Sequence, residues 1–376
     1  MTPRASRFVD LPDPFAMRRG GVLRGARLAY ETWGELAPAR DNVVVLFTGL
    51  SPSAHAASSE ADPTPGWWEF MIGPGRPIDT DRYHVICFNS LGSCFGSTGP
   101  ASIDPATGRR YGMRFPELTI EDIAAAAHAA LAALGLPRVD TVIGASLGGM
   151  TALAFAVQFP EALDRLVTIS SAAHALPTAL AIRSLQREVI RNDPAWMNGD
   201  YETEPVEGMR VARKIGLLSY RSAVEWNQRF GRERVPGAEE RPPFGIEFQV
   251  ESYLEVNARK FIGTFDANCY LYLSRAMDWF DLAEHGGTLN AAMARLATRD
   301  NLVVGVETDF LFPLAQQEEI ADAMREAGLR VEFAALPSLQ GHDAFLCDQA
   351  RFSDAIGRFL KREARASGRV NRLVGL

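Results

Sequence analysis

Cysteine is scarce in this chain of 376 residues: Cys87, Cys94, Cys269 and Cys347 are irregularly spaced, with no C-x-x-C pair among them. That argues against a disulfide framework and a thiolate zinc site, and leaves reduced, mostly buried thiols as the expectation. Positive charge is also short. The 39 Lys and Arg face 46 Asp and Glu, a formal net charge of −7, whereas a nucleic-acid partner selects a basic face. An anionic small molecule held by a few local arginines stays compatible with that balance. No run of about 20 apolar residues exists, so no membrane span is expected. The opening "MTPRASRFVDLPDPF" lacks the apolar centre of a secretory signal, and the cytoplasm is the expected location. Internal repeats and low-complexity tracts are missing too.

What is present is a rhythm. "NVVVLF" (42–47), "YHVICF" (83–88), "DTVIG" (140–144), "DRLVTIS" (164–170), "NLVVGV" (301–306) and "RVEFAAL" (330–336) are short continuous apolar runs. Such runs read as strands buried on both faces of a largely parallel sheet. "VLRGARLAYETWG" (22–34) alternates instead and predicts an early antiparallel hairpin. Between the runs lie helical patterns over 119–135, 147–159, 314–328 and 350–364. The first opens on Thr119 with Glu121 and Asp122 behind it and stops at Gly135, which are start and stop signals. Strand alternating with helix predicts a doubly wound α/β sheet.

The rhythm breaks between Ala172 and Gly287, where no buried strand pattern occurs and "ALAIRSLQREVI" and "GMRVARKIGLLSYRSAVEWNQRF" read as helical. The expected organisation is an α/β catalytic domain over 1–171 and 288–376, with a helical lid inserted as 172–287 above the sheet's C-terminal edge, where ligands bind in such sheets. The polar Pro/Gly stretch 231–245 reads as a movable loop.

Gly144-Ala145-Ser146-Leu147-Gly148 matches G-x-S-x-G between a predicted strand and a predicted helix. The turn joining them is sharp, and small neighbours let the serine hydroxyl stand clear. Ser146 is therefore the candidate nucleophile. The Leu147 amide at the helix start, with that of Leu50 in "TGLSPSAH", would face a developing oxyanion. A serine nucleophile needs a base, and the base an orienting acid, here in the chain order Ser, Asp/Glu, His. Of six histidines, His84 lies in a strand pattern and His128 in a helix; His55 and His174 sit in loops and stay minor candidates. His342, in "SLQGHDAF" between the last strand and the last helix, takes the position of the base. "VETDFLFP" supplies Asp309 as the preferred acid, with Glu307 as the alternative. No metal ligand set is apparent.

Together Ser146, Asp309 and His342 resemble the triad of the homoserine O-acetyltransferase (MetX) family. "WWEFMIGPGRPIDTDRYHVICFNSLGSCFGSTGP", "YGMRFPELTIEDI", "VIGASLGGM", "FDANCYLYLSRAMDWFD" and "GHDAFL" carry the resemblance, which covers roughly residues 15–362. It implies an α/β-hydrolase fold with a helical lid, a homodimer, and acyl transfer from an acyl-CoA to the hydroxyl of a small amino acid. One departure is informative. The acetyltransferases carry an Asp soon after the "TG" of the first loop, whereas this chain has Gly49-Leu50-Ser51-Pro52. That version resembles the serine O-succinyltransferase subgroup of cysteine biosynthesis. It implies succinyl-CoA as co-substrate, no bound cofactor, L-serine as acceptor, and acceptor selection by Gly49, Leu50, Ser51 and Pro52. The resemblance also marks Arg183 as the acyl-selectivity residue, which makes sense because arginine binds a carboxylate with two parallel hydrogen bonds. It marks Arg213 as the holder of the acceptor's carboxylate, with Arg210 as a rival, and Asp343 as the holder of its ammonium. Homoserine as acceptor, acetyl-CoA as donor, and plain ester or thioester hydrolysis remain the alternative readings.

Overall fold

The computed structural model describes residues 2–240 and 242–362. Its main sheet holds β1 (Arg7–Asp10), β2 (Arg27–Trp33), β3 (Val43–Phe47), β4 (His84–Phe88), β5 (Val139–Ala145), β6 (Leu163–Ile169), β7 (Asp300–Val306) and β8 (Val331–Leu336). They lie in the order β1-β2-β4-β3-β5-β6-β7-β8. The β1–β2 and β2–β4 pairs are antiparallel; every pair from β4 across to β8 is parallel. The apolar runs explain this arrangement. Every residue of β3 is buried; Val43, Val45 and Phe47 enter the core on one face, Val44 and Leu46 on the other. Successive side chains point to opposite faces of a strand, so a wholly apolar run suits only a sheet covered on both sides.

The longer helices are α1 (Ile120–Ala133), α2 (Leu147–Gln158), α3 (Pro177–Arg191), α4 (Val206–Tyr220), α5 (Ala223–Phe230), α6 (Gln249–Phe261), α7 (Ala267–Trp279), α8 (Leu314–Glu326) and α9 (Gln349–Lys361). α1, α2 and α8 cover one face of the sheet through Ile123, Leu153, Ile320 and their neighbours. α9 covers the other with Phe352, Ile356 and Phe359, each contributing about 1.5–3 kcal/mol by its burial. α1 begins where the sequence signals it. The Thr119 hydroxyl accepts the Asp122 N–H, and the Asp122 carboxylate accepts the Thr119 N–H, a reciprocal cap that satisfies two otherwise orphaned amides. Helices α3 to α7 all lie between β6 and β7, so one long excursion leaves the sheet at its C-terminal edge and returns.

The structure differs from the sequence reading in several places. The stretch 22–34 is not one hairpin. Gly25, at φ +56°, separates a short strand Val22–Leu23, paired with Phe15–Ala16, from β2, paired with β1. β1 itself is a mostly exposed edge strand, too short and polar to stand out as a buried run. The helical stretch 208–230 is two helices, because Ser222 caps α5 by accepting the Glu225 N–H. The loop 231–245 is tied back by an Arg234–Phe248 bridge and by the Val235 N–H donating to the Glu247 carbonyl. α9 ends at Lys361, with Arg362 already extended; positions 363 and 364 of the helix read to 364, and the tail after it, lie outside the described residues. Among the described residues no helix is long and apolar enough to cross a membrane. The four cysteines are free thiols; Cys87 and Cys269 are buried and Cys347 is exposed.

Candidate active site

β5 runs directly into α2 through Ser146, whose backbone sits at φ 56°, ψ −121°. A non-glycine residue there is strained by order 1–3 kcal/mol and persists only where its surroundings hold it. They do. The Ser146 N–H donates to the Ile169 carbonyl at 2.9 Å and its carbonyl accepts the Ser171 hydroxyl at 3.0 Å. The flanking glycines are required by close approach. A Cβ at Gly144 would lie 2.0 Å from the Gly148 carbonyl oxygen, and one at Gly148 would lie 2.2 Å from the Phe47 carbonyl oxygen. The turn thus brings Ser146 to the start of α2, where the first amides, Leu147 foremost, have no intrahelical acceptor.

His342 meets that serine from the loop after β8. Its Nε2 is 2.9 Å from Ser146 Oγ, and its Nδ1 is 2.8 Å from Asp309 Oδ2. The other Asp309 oxygen accepts the N–H groups of Leu311 and Phe312, both at 2.9 Å. The carboxylate is therefore fixed by its own loop before it fixes the imidazole. With Nδ1–H donating to Asp309, Nε2 is left to accept the serine proton. Phe312, Phe345 and Tyr220 surround the imidazole. Burial alone would lower the His342 pKa, but the Asp309 charge and hydrogen bond outweigh it, and Asp343 adds to them, so the group titrates above its ordinary range. Glu307 is exposed, whereas Asp309 is buried.

The other histidines are occupied elsewhere. His55 Nδ1 binds Glu31 and its Nε2 binds the Thr64 carbonyl. That copies half of the His342 arrangement, with a carbonyl where a nucleophile would stand. His84 binds the Gly34 carbonyl, His128 stacks on Phe159, His174 faces Glu319 and His285 faces Glu121.

Ser146 opens onto a small cavity of about 40 Å³ lined by Leu50, Arg183, Gln186, Tyr220, Tyr270 and Met277, among others. Arg183 is buried; its Nε donates to Asp278 Oδ1 at 2.6 Å, while its Nη2 is buried without a hydrogen-bond partner. A guanidinium that is anchored at one nitrogen and unsatisfied at another, in the same cavity as a nucleophile, offers an anion a place to bind. Of the acceptor loop, Gly49, Leu50, Ser51 and Pro52 are all half-buried, and Leu50 reaches the cavity wall.

On α4, Arg210 is spent on Glu207 and Glu255 at 2.6 and 2.7 Å. Arg213 instead lies over the rings of Phe261 and Tyr220, at 4.6 and 5.8 Å from their centroids, with its buried Nε unpartnered. Asp343 faces Arg221 at 3.2 Å, and burial raises its pKa against the pull of Arg221, His342 and Arg213. No group of three or more His, Cys, Asp or Glu suited to a metal ion exists among the described residues.

The family model described as alpha/beta hydrolase fold matches residues 42–342. A protein named serine O-succinyltransferase from Litchfieldella anticariensis is 59% identical over 362 residues, 95% of this chain and 99% of that one. The chain is a member of the α/β-hydrolase family. Within it, the chain belongs with the homoserine O-acetyltransferases and serine O-succinyltransferases. An L-serine/homoserine O-acetyltransferase from Streptomyces lavendulae is 56% identical over 366 residues, 95% of this chain and 98% of that one. The crystal structure of homoserine O-acetyltransferase from Bacillus anthracis superposes with a TM-score of 0.89 at 26% identity, covering 96% of this chain and 99% of that one.

For this member of the family, the structure brings Ser146, Asp309 and His342 into one hydrogen-bonded chain, with Leu50 and Arg183 at the same cavity. Arg213 and Asp343 stand beside it. Three further residues were given no role from the sequence: Asp278, Arg187 and Arg221. Asp278 lies in the stretch "FDANCYLYLSRAMDWFD", which carries part of the family resemblance, but nothing in its spacing says that it meets α3. Its pairing with Arg183 crosses 95 residues.

Proposed function

We propose that the chain is a serine O-succinyltransferase that moves the succinyl group of succinyl-CoA to the hydroxyl of L-serine, for cysteine biosynthesis. The observation that carries this reading is Arg183, buried with an unsatisfied nitrogen in the cavity that Ser146 opens onto. A succinyl chain ends in a carboxylate that satisfies it; an acetyl group has nothing to offer. The name borne by the Litchfieldella relative supports the same donor and acceptor.

The geometry supports a two-stage transfer. His342 Nε2 takes the Ser146 proton as Oγ attacks the thioester carbonyl, with the Leu147 and Leu50 amides facing the oxyanion. The C–S bond breaks, and the CoA sulfur leaves with the proton from His342. The serine hydroxyl then enters, gives its proton to His342 and attacks the succinyl ester. Ser146 Oγ leaves and recovers a proton from His342. Arg213 takes the acceptor's carboxylate. Asp343 takes its ammonium, sharing its charge with Arg221. About 40 Å³ holds only a few waters, so the succinyl ester needs room that flexible side chains of the lid, Met277 among them, must yield. The same reading carries a homodimer, a cytoplasmic location, and no bound cofactor.

Acetyl transfer is the second reading, favoured by the name of the Streptomyces relative. Serine and homoserine differ by one methylene, worth about 1–3 kcal/mol in a pocket, so the acceptor assignment rests on Gly49–Pro52. Mass spectrometry of the protein mixed with succinyl-CoA alone tests the scheme. The expected result is one succinyl group on Ser146, removed on adding L-serine with formation of O-succinylserine. An acyl group that never appears, or one that water removes as fast as serine does, contradicts it.

A further inference from the structure

A cavity larger than the one at Ser146 lies farther along α3. A cleft of about 420 Å³ opens between α3, α7 and the chain before α1, lined by Arg187, Arg191, Arg275, Trp196, Trp279 and Glu117, among others. In a chain of net charge −7, three guanidiniums at one cleft are a local reversal of sign. Two of them, Arg191 and Arg275, have no close carboxylate partner among the described residues. Glu117 is paired with Arg19 at 2.8 Å. Arg187 reaches Asp278 at 2.5 Å, but that carboxylate already serves Arg183, and Arg275 comes only within 3.8 Å of it. Arg191 makes no ion pair among the described residues; it lies over the ring of Trp196, 5.8 Å from the centroid. Arg19 and Arg275 lie over Trp279 at 4.3 and 5.9 Å.

Arg191 and Arg275, without a close carboxylate partner and set beside indole faces, suit a ligand that is both anionic and aromatic. The guanidiniums take phosphate oxygens in pairs and the rings stack on a base. The cleft's volume lies within the range of small-molecule sites, about 300–1,000 Å³. Its place in the fold is equally specific. Arg183 faces the Ser146 cavity, Arg187 faces this cleft one turn later on α3, and Asp278 joins the two. Arg191 is eight residues beyond Arg183, about 12 Å along the helix.

We infer that this cleft binds a phosphorylated adenine nucleotide. Resting on the acyl-CoA reading above, its source is the nucleotide end of the donor, whose arm then reaches past the Arg183–Asp278–Arg187 cluster towards Ser146. A free nucleotide is the other source of the same chemistry.

The test is calorimetric titration with adenosine 3′,5′-bisphosphate, for the wild type and for the R191A/R275A double variant, checked for unchanged thermal unfolding. The expected result is saturable binding in the wild type, weakened roughly tenfold or more in the variant, with unphosphorylated adenosine weaker in the wild type. No binding, or equal binding by both proteins, overturns the site. Inhibition of thiol release by the bisphosphate then separates the sources: competition with succinyl-CoA identifies the donor's own end, and inhibition that succinyl-CoA does not relieve identifies a free nucleotide. Because calorimetry needs no turnover, failure of the succinyl-transfer reading shows only in the activity assay and failure of the site only in the titration.

Discussion

Arg183 and Asp278 form a buried ion pair, Nε to Oδ1 at 2.6 Å, and Asp278 spends its second oxygen on Arg187 at 2.5 Å. One carboxylate thus pairs with two guanidiniums and leaves a net positive charge on the cluster. Removing it strands both cations, and breaking such a pair from one side costs about 3–5 kcal/mol. Asp278→Ala is expected to lose stability on that scale, and Asp278→Asn less, because the amide keeps one acceptor. Denaturant midpoints of the two variants check the order.

Arg183→Gln is expected to lower kcat/KM for succinyl-CoA by roughly 10- to 100-fold, the loss of about 1.5–3 kcal/mol from hydrogen bonds to a charged group. The value for acetyl-CoA should change far less, since the acetyl group has no carboxylate. Parallel kinetics with the two donors measure the ratio. An equal fall for both would reduce Arg183 to a structural partner of Asp278.

Ser146 holds its hydroxyl clear of the turn at the cost of backbone strain, with φ at 56°. Glycine adopts that conformation freely and alanine does not. Both Ser146→Ala and Ser146→Gly should lose about 10⁴-fold or more in kcat. The glycine variant should unfold at higher denaturant than the alanine variant, by about 1 kcal/mol. Equal stabilities would mean that the turn relaxes on substitution.

The pH dependence follows from His342. It acts as a base only when neutral, and Asp309 and Asp343 hold its pKa above the ordinary value of 6.5. Activity should therefore fall on acidification with a midpoint above 6.5. Asp343→Asn removes one of the charges that raise the pKa, so its midpoint should move to lower pH. Rate profiles of kcat/KM against pH for the two proteins show the sign of the shift.

Much of this site is written locally. G-x-S-x-G between an apolar run and an Ala-rich helix specifies Ser146, because strand, tight turn and helix start are contiguous in sequence. His342 and Asp309 follow from chain order, since each loop at the end of a parallel strand faces the same edge of the sheet. Asp309 is preferred to Glu307 from its place farther into the loop, and the geometry gives the reason: the loop turns back so that Leu311 and Phe312 donate to Asp309 and leave Glu307 in solvent. The segment between β6 and β7 was legible as helical but not in its pairing. Whether Arg183 meets Asp278, or Asp343 meets Arg221, depends on how separate helices cross, and side-chain periodicity reports only which face of each is apolar. The break at Ser222 was missed because helix-forming residues flank it on both sides.

The most direct test of the central claim is CoA-thiol release by the purified protein, offered succinyl-CoA or acetyl-CoA with L-serine, L-homoserine or water alone. The account predicts fast release for succinyl-CoA with L-serine and slow release for every other combination. Fast release with acetyl-CoA would contradict the role given to Arg183. Fast release with homoserine would contradict the role given to Gly49–Pro52, and release in water that no amino acid accelerates would make the chain a hydrolase.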